Sequence, residues 1–299
     1  MNRDHLKRFA WLSVAAALIT IVLKGWAWWL TGSVGLLSDA MESFVNLAAA
    51  VLALAMLSLA ARPPDEEHAF GYGKAEYFSS GVEGLLIFVA AIFIGYAAVQ
   101  RLLAPQPIQQ VGIGIAVSVV ASLVNLTVAR ILHRAASTHR SVALEADAQH
   151  LMTDVWTSAG VIVGVAGVAW TGWWQLDPLI ALAVAAHILW IATQLLRRTV
   201  AGLLDRAMPI EERQKILEVL DSYDAAGVRH HALLTREAAG RSFINVHILV
   251  PGEWSVQRGH DMLEEIEARI RAAIPHACVF THLEPIGDPA SYEDIQLDR

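Results

Sequence analysis

Six stretches of the chain run apolar with hardly a charge: Phe9–Leu30, Val34–Ala60, Tyr77–Leu103, Val111–Leu132, Ala143–Trp170 and Leu176–Leu196. At the helical rise of about 1.5 Å per residue each spans a hydrocarbon core of about 30 Å. After Arg198 the pattern changes to shorter periods. Pro209 at the first helical position, with Ile210, Ile216, Val219 and Leu220 as an apolar stripe, predicts a helix to Tyr223. Val228–Thr235 and Ser242–Val250 alternate as strands around a turn at Gly240, Ser255–Ile274 is an amphipathic helix, and Ala277–Leu283 is a last strand. The pattern predicts an α-helical membrane protein, with a six-helix transmembrane domain over residues 1–204 and an α+β domain of order αββαβ over residues 205–299.

Composition agrees with that division. Apolar residues make up 55% of the 299 positions, as expected of a membrane protein. The first span is too long for a signal-peptide core and has no convincing small-residue cleavage site after it, so it is kept as a helix. The N-terminus, Arg62 with Lys74, Arg130 with Arg134 and Arg140, and Arg197 with Arg198 fall on one side of the membrane. The opposite turns carry no Lys or Arg, so the positive-inside rule places both termini in the cytoplasm. Trp26, Trp28, Trp29, Trp170, Trp173 and Trp174 fit an aromatic belt at the other surface. One cysteine, Cys278, excludes an intramolecular disulfide framework. A net charge of −7 gives no support to a nucleic-acid partner.

Against this apolar background the ionisable residues stand out, because they are costly inside a bilayer and usually functional there. In the fifth span Asp147, His150 and Asp154 fall on one helical face, and in the second span Asp39, Glu42 and Asn46 repeat the same spacing. Facing each other, the two helices supply Glu42, Asn46, His150 and Asp154 to one divalent ion. An imidazole with oxygen ligands suits Zn²⁺ and leaves Mn²⁺, Fe²⁺, Co²⁺ and Cd²⁺ chemically open.

Other polar groups weigh less. In the loop after the second span Asp65 and His68 can hold a surface ion, while an acidic solvated loop is the plainer reading. Ser79, Ser80, Gly81 and Gly84 allow close helix packing, Glu83 is expected among polar partners, and His187 is expected as a satisfied core histidine. In the soluble domain, the phase of Ile244, Val246, Ile248 and Val250 leaves His247 on the opposite strand face. His282 and Glu284 share a strand face, and with His231, His247 and His260 they form a possible metal cluster.

Taken in order, His150-x-x-x-Asp154, Ser38-Asp39-Ala40-Met41-Glu42, the run His68-Ala69-Phe70-Gly71-Tyr72-Gly73-Lys74-Ala75-Glu76, and Leu203-Leu204-Asp205-Arg206 resemble the cation diffusion facilitator family over nearly the whole chain. The resemblance implies a homodimeric exchanger of divalent metal for protons, with a cytoplasmic metallochaperone-like domain. It implies Glu42, Asn46, His150 and Asp154 as the transport site. Many relatives carry a second acid where Asn46 stands, and a histidine where Tyr72 stands, which weakens the Asp65/His68 loop site. By the same resemblance His231, His247, His260, His282 and Glu284 form a cytoplasmic zinc site at the dimer interface, and Lys74 with Asp205 a charge interlock between protomers.

The function expected is divalent cation efflux by alternating access, first of all zinc/proton antiport, in a bacterial inner (plasma) membrane. Iron, manganese, cobalt or cadmium as main ion, or a non-transporting membrane metal sensor, are the alternatives. An intramembrane metalloprotease would need a metal-activated water and a general base, yet no His-Glu-x-x-His motif occurs, so no enzyme activity is expected.

Overall fold

The computed structural model describes residues 6–31, 34–104, 111–173 and 175–293. Six long helices come first: α1 (Lys7–Thr31), α2 (Val34–Ala60), α3 (Ala75–Leu103), α4 (Val111–His139), α5 (Val142–Thr171) and α6 (Leu176–Leu203). They are followed by α7 (Ile210–Asp221), β1 (Arg229–Ala238), β2 (Arg241–Val250), α8 (Val256–Ala273) and β3 (Ala277–Pro285). The contacts divide the chain into two compact units, Asn2–Val200 and Ala201–Arg299.

In the helical unit, four stretches among the described residues are long and apolar enough to cross a membrane: Lys7–Trp26, Ala75–Leu103, Val119–His139 and Pro178–Leu203. The interiors of α2 and α5 are described only in part. Several long helices overrun the predicted ends by a turn or two, because solvated polar residues such as Arg134 and Ser137 continue a helix as readily as apolar ones do. Pro63 and Pro64 follow the end of α2 and cannot extend it. Helix α5 ends before Gly172, which takes a φ of +68°.

Helices α1, α2, α4 and α5 pack around one core that includes Leu6, Leu57, Leu132, Leu144 and Leu151. A second core joins α3, α5 and α6 through Ile87, Ala146, Ile188 and Leu195. The small residues of α3 explain how close α6 comes. A Cβ on Gly84 would lie 3.0 Å from Leu196 Cδ2, and the Ser80 hydroxyl is 2.8 Å from that of Thr199. At the turn between α4 and α5, the fully buried Glu76 accepts from Ser141 Oγ at 2.6 Å and from the Ala143 amide at 3.4 Å. A carboxylate there meets the positive end of the α5 dipole.

Trp26, Trp29, Trp170 and Trp173 all present exposed rings, as a lipid-facing belt requires. Trp28 and Trp174 lie outside the described side chains. His187 departs from expectation: it is exposed between Trp156 and Trp190 rather than buried in the core. Single-residue context does not reveal which side of an all-apolar helix faces lipid.

In the soluble unit, β1 pairs antiparallel with β2, and β2 pairs parallel with β3. Ile244, Val246, Ile248 and Val250 are buried and pack with Ile216 and Leu220 of α7 and Ile266 and Ile270 of α8. This is the strand phase expected. Pro209, however, is the N-cap of α7, with ψ at 147°, and not its first helical residue. The turn between β1 and β2 takes its positive φ at Ala239, 51°, rather than at Gly240. A bulge between His231 and Leu234 shifts the register of β1, with Ala232 at φ 50°. Ser255 caps α8 by accepting from the Arg258 amide at 3.2 Å.

Candidate metal transport site

The periodicity of α2 and α5 brings three of the four proposed ligands together. Asn46, His150 and Asp154 are all buried, at 5%, 6% and 7% exposure, at one place in the helical unit. The Asn46 side-chain N–H donates to Asp154 Oδ2, and Asn46 Oδ1 lies 2.7 Å from His150 Nε2. With its NH₂ turned to the carboxylate, the amide offers His150 only an acceptor, so the contact requires a hydrogen on Nε2. Glu42 belongs to α2, but its side chain, like that of Asp39, lies outside the described residues.

Two contributors escaped the sequence reading. Asn125 of α4, 4% exposed, donates to the same Asp154 oxygen at 3.2 Å. Ser13 of α1 donates to Asp147 at 2.9 Å, so the residue one turn before His150 is buried and engaged. A lone Asn or Ser in an apolar span is the only signal either offered, and such residues commonly just link helices. Glu83 is fully buried and accepts from Ser79 at 2.9 Å, as expected of a residue among polar partners.

The loop after α2 is a closed local knot. Asp65 accepts from the His68 amide at 2.8 Å and from the Tyr72 hydroxyl at 2.5 Å, while the His68 and Tyr72 rings lie 4.3 Å apart. The Tyr72 bond, then the His68 amide, hold the Asp65 carboxyl below its ordinary 3.8. The same bond raises the Tyr72 phenol above 10.0. Tyr72 thus occupies one oxygen of Asp65 that a metal would need.

Strand register assembles the cytoplasmic cluster. His231, His247 and His282 stand side by side across β1, β2 and β3. His231 Nε2 is 2.7 Å from one Glu284 oxygen and His247 Nδ1 is 3.3 Å from the other. Ligand atoms of these three residues lie within 4.8 Å of one another, a nitrogen and oxygen donor set that suits zinc. The exposed His282 ring is 5.0 Å from that of His247. His260 is exposed on α8, and its side chain has no hydrogen bond or ion pair among the described residues. Asp205, at φ 55°, pairs with Arg236 at 3.0 Å within the soluble unit, and Lys74 is the residue preceding α3.

Comparison with known proteins bears on the whole chain. Residues 10–204 match the model of the cation efflux transmembrane domain, and residues 208–286 that of the cation efflux protein cytoplasmic domain. An uncharacterized transporter of Synechocystis is 55% identical over 293 residues, 98% of this chain and 94% of that protein. The cation-efflux pump FieF of Klebsiella pneumoniae is 32% identical over 289 residues, 95% of each chain. That of Salmonella arizonae is 31% identical over 288 residues, again 95% of each. With both domain models in sequence order and relatives matched over almost their full length, the chain belongs to the cation diffusion facilitator family of transporters.

Proposed function

We propose that the protein exports a divalent metal ion, zinc foremost, in exchange for protons, using Glu42, Asn46, His150 and Asp154 as the transport site. The observation that carries this reading is the buried contact of Asn46 with both His150 and Asp154. A metal ion needs the Nε2 lone pair of His150 and the carboxylate oxygen of Asp154, the same atoms that the Asn46 amide engages. Loading therefore requires Nε2 to lose its hydrogen and Asn46 to turn its carbonyl toward the ion; from the imidazolium form that hydrogen leaves as a proton and the ring keeps Nδ1–H, so metal and the second proton exclude each other. Alternating access then follows: metal enters from the cytoplasm, the helical unit reopens outward, and external protons displace the cargo.

The soluble domain pairs two protomers in this reading, with Lys74 and Asp205 as the interlock between them. A resident Zn²⁺ held by His231, His247 and Glu284, with His260 and His282 as further donors, would supply a positive crosslink between strands. Its occupancy would favour one dimer arrangement and so report cytoplasmic metal. The multi-pass chain sits in a bacterial plasma membrane with both termini cytoplasmic. Metal identity is tested in proteoliposomes under an imposed pH gradient with Zn²⁺, Cd²⁺, Fe²⁺, Mn²⁺ and Co²⁺ in turn. Zinc flux is expected; none, beside robust manganese or iron flux, overturns the assignment.

A further inference from the structure

A cavity of about 520 Å³ opens between α4, α5 and α6, where the Arg-rich ends of α4 and α6 meet the start of α5. Its polar wall carries Arg130, Arg134 and Arg198, and its apolar wall Trp190, Ile191 and Leu195. The one carboxylate on the wall, Glu145, is already engaged: His133 Nδ1 is 3.0 Å away and Gln149 Nε2 donates at 3.1 Å. The three guanidinium groups have no ion pair or side-chain hydrogen bond among the described residues. All three arginines are exposed, and the Trp190 ring is 61% exposed.

Three guanidinium groups against one occupied carboxylate disfavour a divalent cation at this opening. They match an anion, and a phosphate in particular, because the guanidinium fork fits its oxygens. The second wall chooses among phosphates. Trp190, Ile191 and Leu195 continue along α6 into its apolar body, offering a track for a hydrocarbon chain next to the charged wall. Free phosphate has no use for that track.

We propose that this cavity binds an anionic phospholipid, its headgroup phosphate among Arg130, Arg134 and Arg198 and an acyl chain along Trp190, Ile191 and Leu195. Basic pockets between membrane helices on the Lys/Arg-rich side take such headgroups. Occupancy ties α6 to α4 and α5 on the helix that carries His150.

The test is native mass spectrometry of the full-length protein in detergent, titrated with dioleoylphosphatidylglycerol, dioleoylphosphatidylcholine or inorganic phosphate. Phosphatidylglycerol should bind on the order of tenfold more tightly than phosphatidylcholine, and the Arg130→Gln/Arg134→Gln/Arg198→Gln variant should lose that preference. Arg197→Gln, at an exposed position outside the cavity, should keep it. Inorganic phosphate that displaces the lipid at equal concentration overturns the choice of a lipid, and an unchanged preference in the triple variant overturns the site. Should that variant fail to fold, brominated phosphatidylglycerol decides: it should quench the wild type more than Trp190→Phe, and equal quenching overturns the proposal.

Discussion

The side-chain carbonyl of Asn46 stands 2.7 Å from Nε2 of His150, closing across two helices a contact between residues 104 positions apart. Where many relatives place an acid, a neutral amide links the imidazole to Asp154. The proposed site, with Glu42 and Asp154 as its acids, is therefore one negative charge poorer than an arrangement with a third carboxylate at position 46, and a less charged site binds a divalent ion more weakly. Asn46→Asp should tighten zinc binding about tenfold, roughly 1.4 kcal/mol. Equilibrium binding of zinc to the purified variant checks this, and Asn46→Ala should bind more weakly than the wild type.

Asn125 donates to Asp154, so under the proposed transport site it acts through that carboxylate as a positioning residue. Asn125→Val removes a donor to a buried carboxylate without adding charge, so it should raise the apparent KM for metal about threefold to tenfold while maximal flux is kept. A flux titration against zinc concentration separates the two. Asn125→Gln, which keeps an amide, should recover part of the loss.

Asn125 and Ser13 also mark the limit of what the chain reveals by itself. The spacing of Asp147, His150 and Asp154 follows from helical periodicity alone, and the matching ladder in α2 made their meeting with Asn46 legible. Which polar residue of α1 or α4 reaches them depends on helix rotation and tilt, and an apolar span carries little record of either. The soluble domain behaves similarly. Strand phase placed His247 on the face opposite Ile248, but the alignment of His231, His247 and His282 needed the register, which the bulge after His231 helps to set. Ala239 at positive φ beside a glycine, and the exposed His187, were illegible because neighbouring residues satisfy the same local pattern.

The loop knot depends on pH at both ends. Tyr72 and the His68 amide depress the Asp65 pKa, so the bond's contribution is complete above 3.8 and is lost as pH falls through the lowered value. The Tyr72 pKa is raised, so on the alkaline side the contribution is complete below 10.0 and is lost as pH rises through the higher value. Tyr72→Phe should return the Asp65 titration toward 3.8, measured from its carboxyl carbon by NMR. Tyr72→His should give the loop a zinc site of measurable affinity beside Asp65 and His68, one more ion per chain than the wild type holds.

Packing of α8 on β3 admits a methyl group at Gly259 only if the Leu283 side chain moves aside. A Cβ there would lie 2.4 Å from Leu283 Cδ2. Overpacking of about 1–3 kcal/mol, offset by about 1 kcal/mol that Ala gains over Gly in a helix, should leave Gly259→Ala with a modestly lower unfolding midpoint of the soluble unit.

In the cytoplasmic cluster Glu284 bridges His231 and His247, so Glu284→Ala removes the oxygen that both histidines face. Zinc should raise the unfolding temperature of the wild type, and the full-length variant should lose that rise. Zinc flux driven by an imposed pH gradient should persist, since the proposed transport ligands belong to the helical unit. Thermal unfolding with and without zinc, next to a flux assay, tests both halves.

In the proposed exchange His150 and Asp154 hold the cargo. Zinc flux into proteoliposomes under an imposed pH gradient, compared between the wild type and the His150→Ala/Asp154→Ala variant, tests it most directly. Flux in the variant should fall to the level of protein-free vesicles while the protein remains folded and inserted. Flux equal to that of the wild type would contradict the site and the exchange built on it.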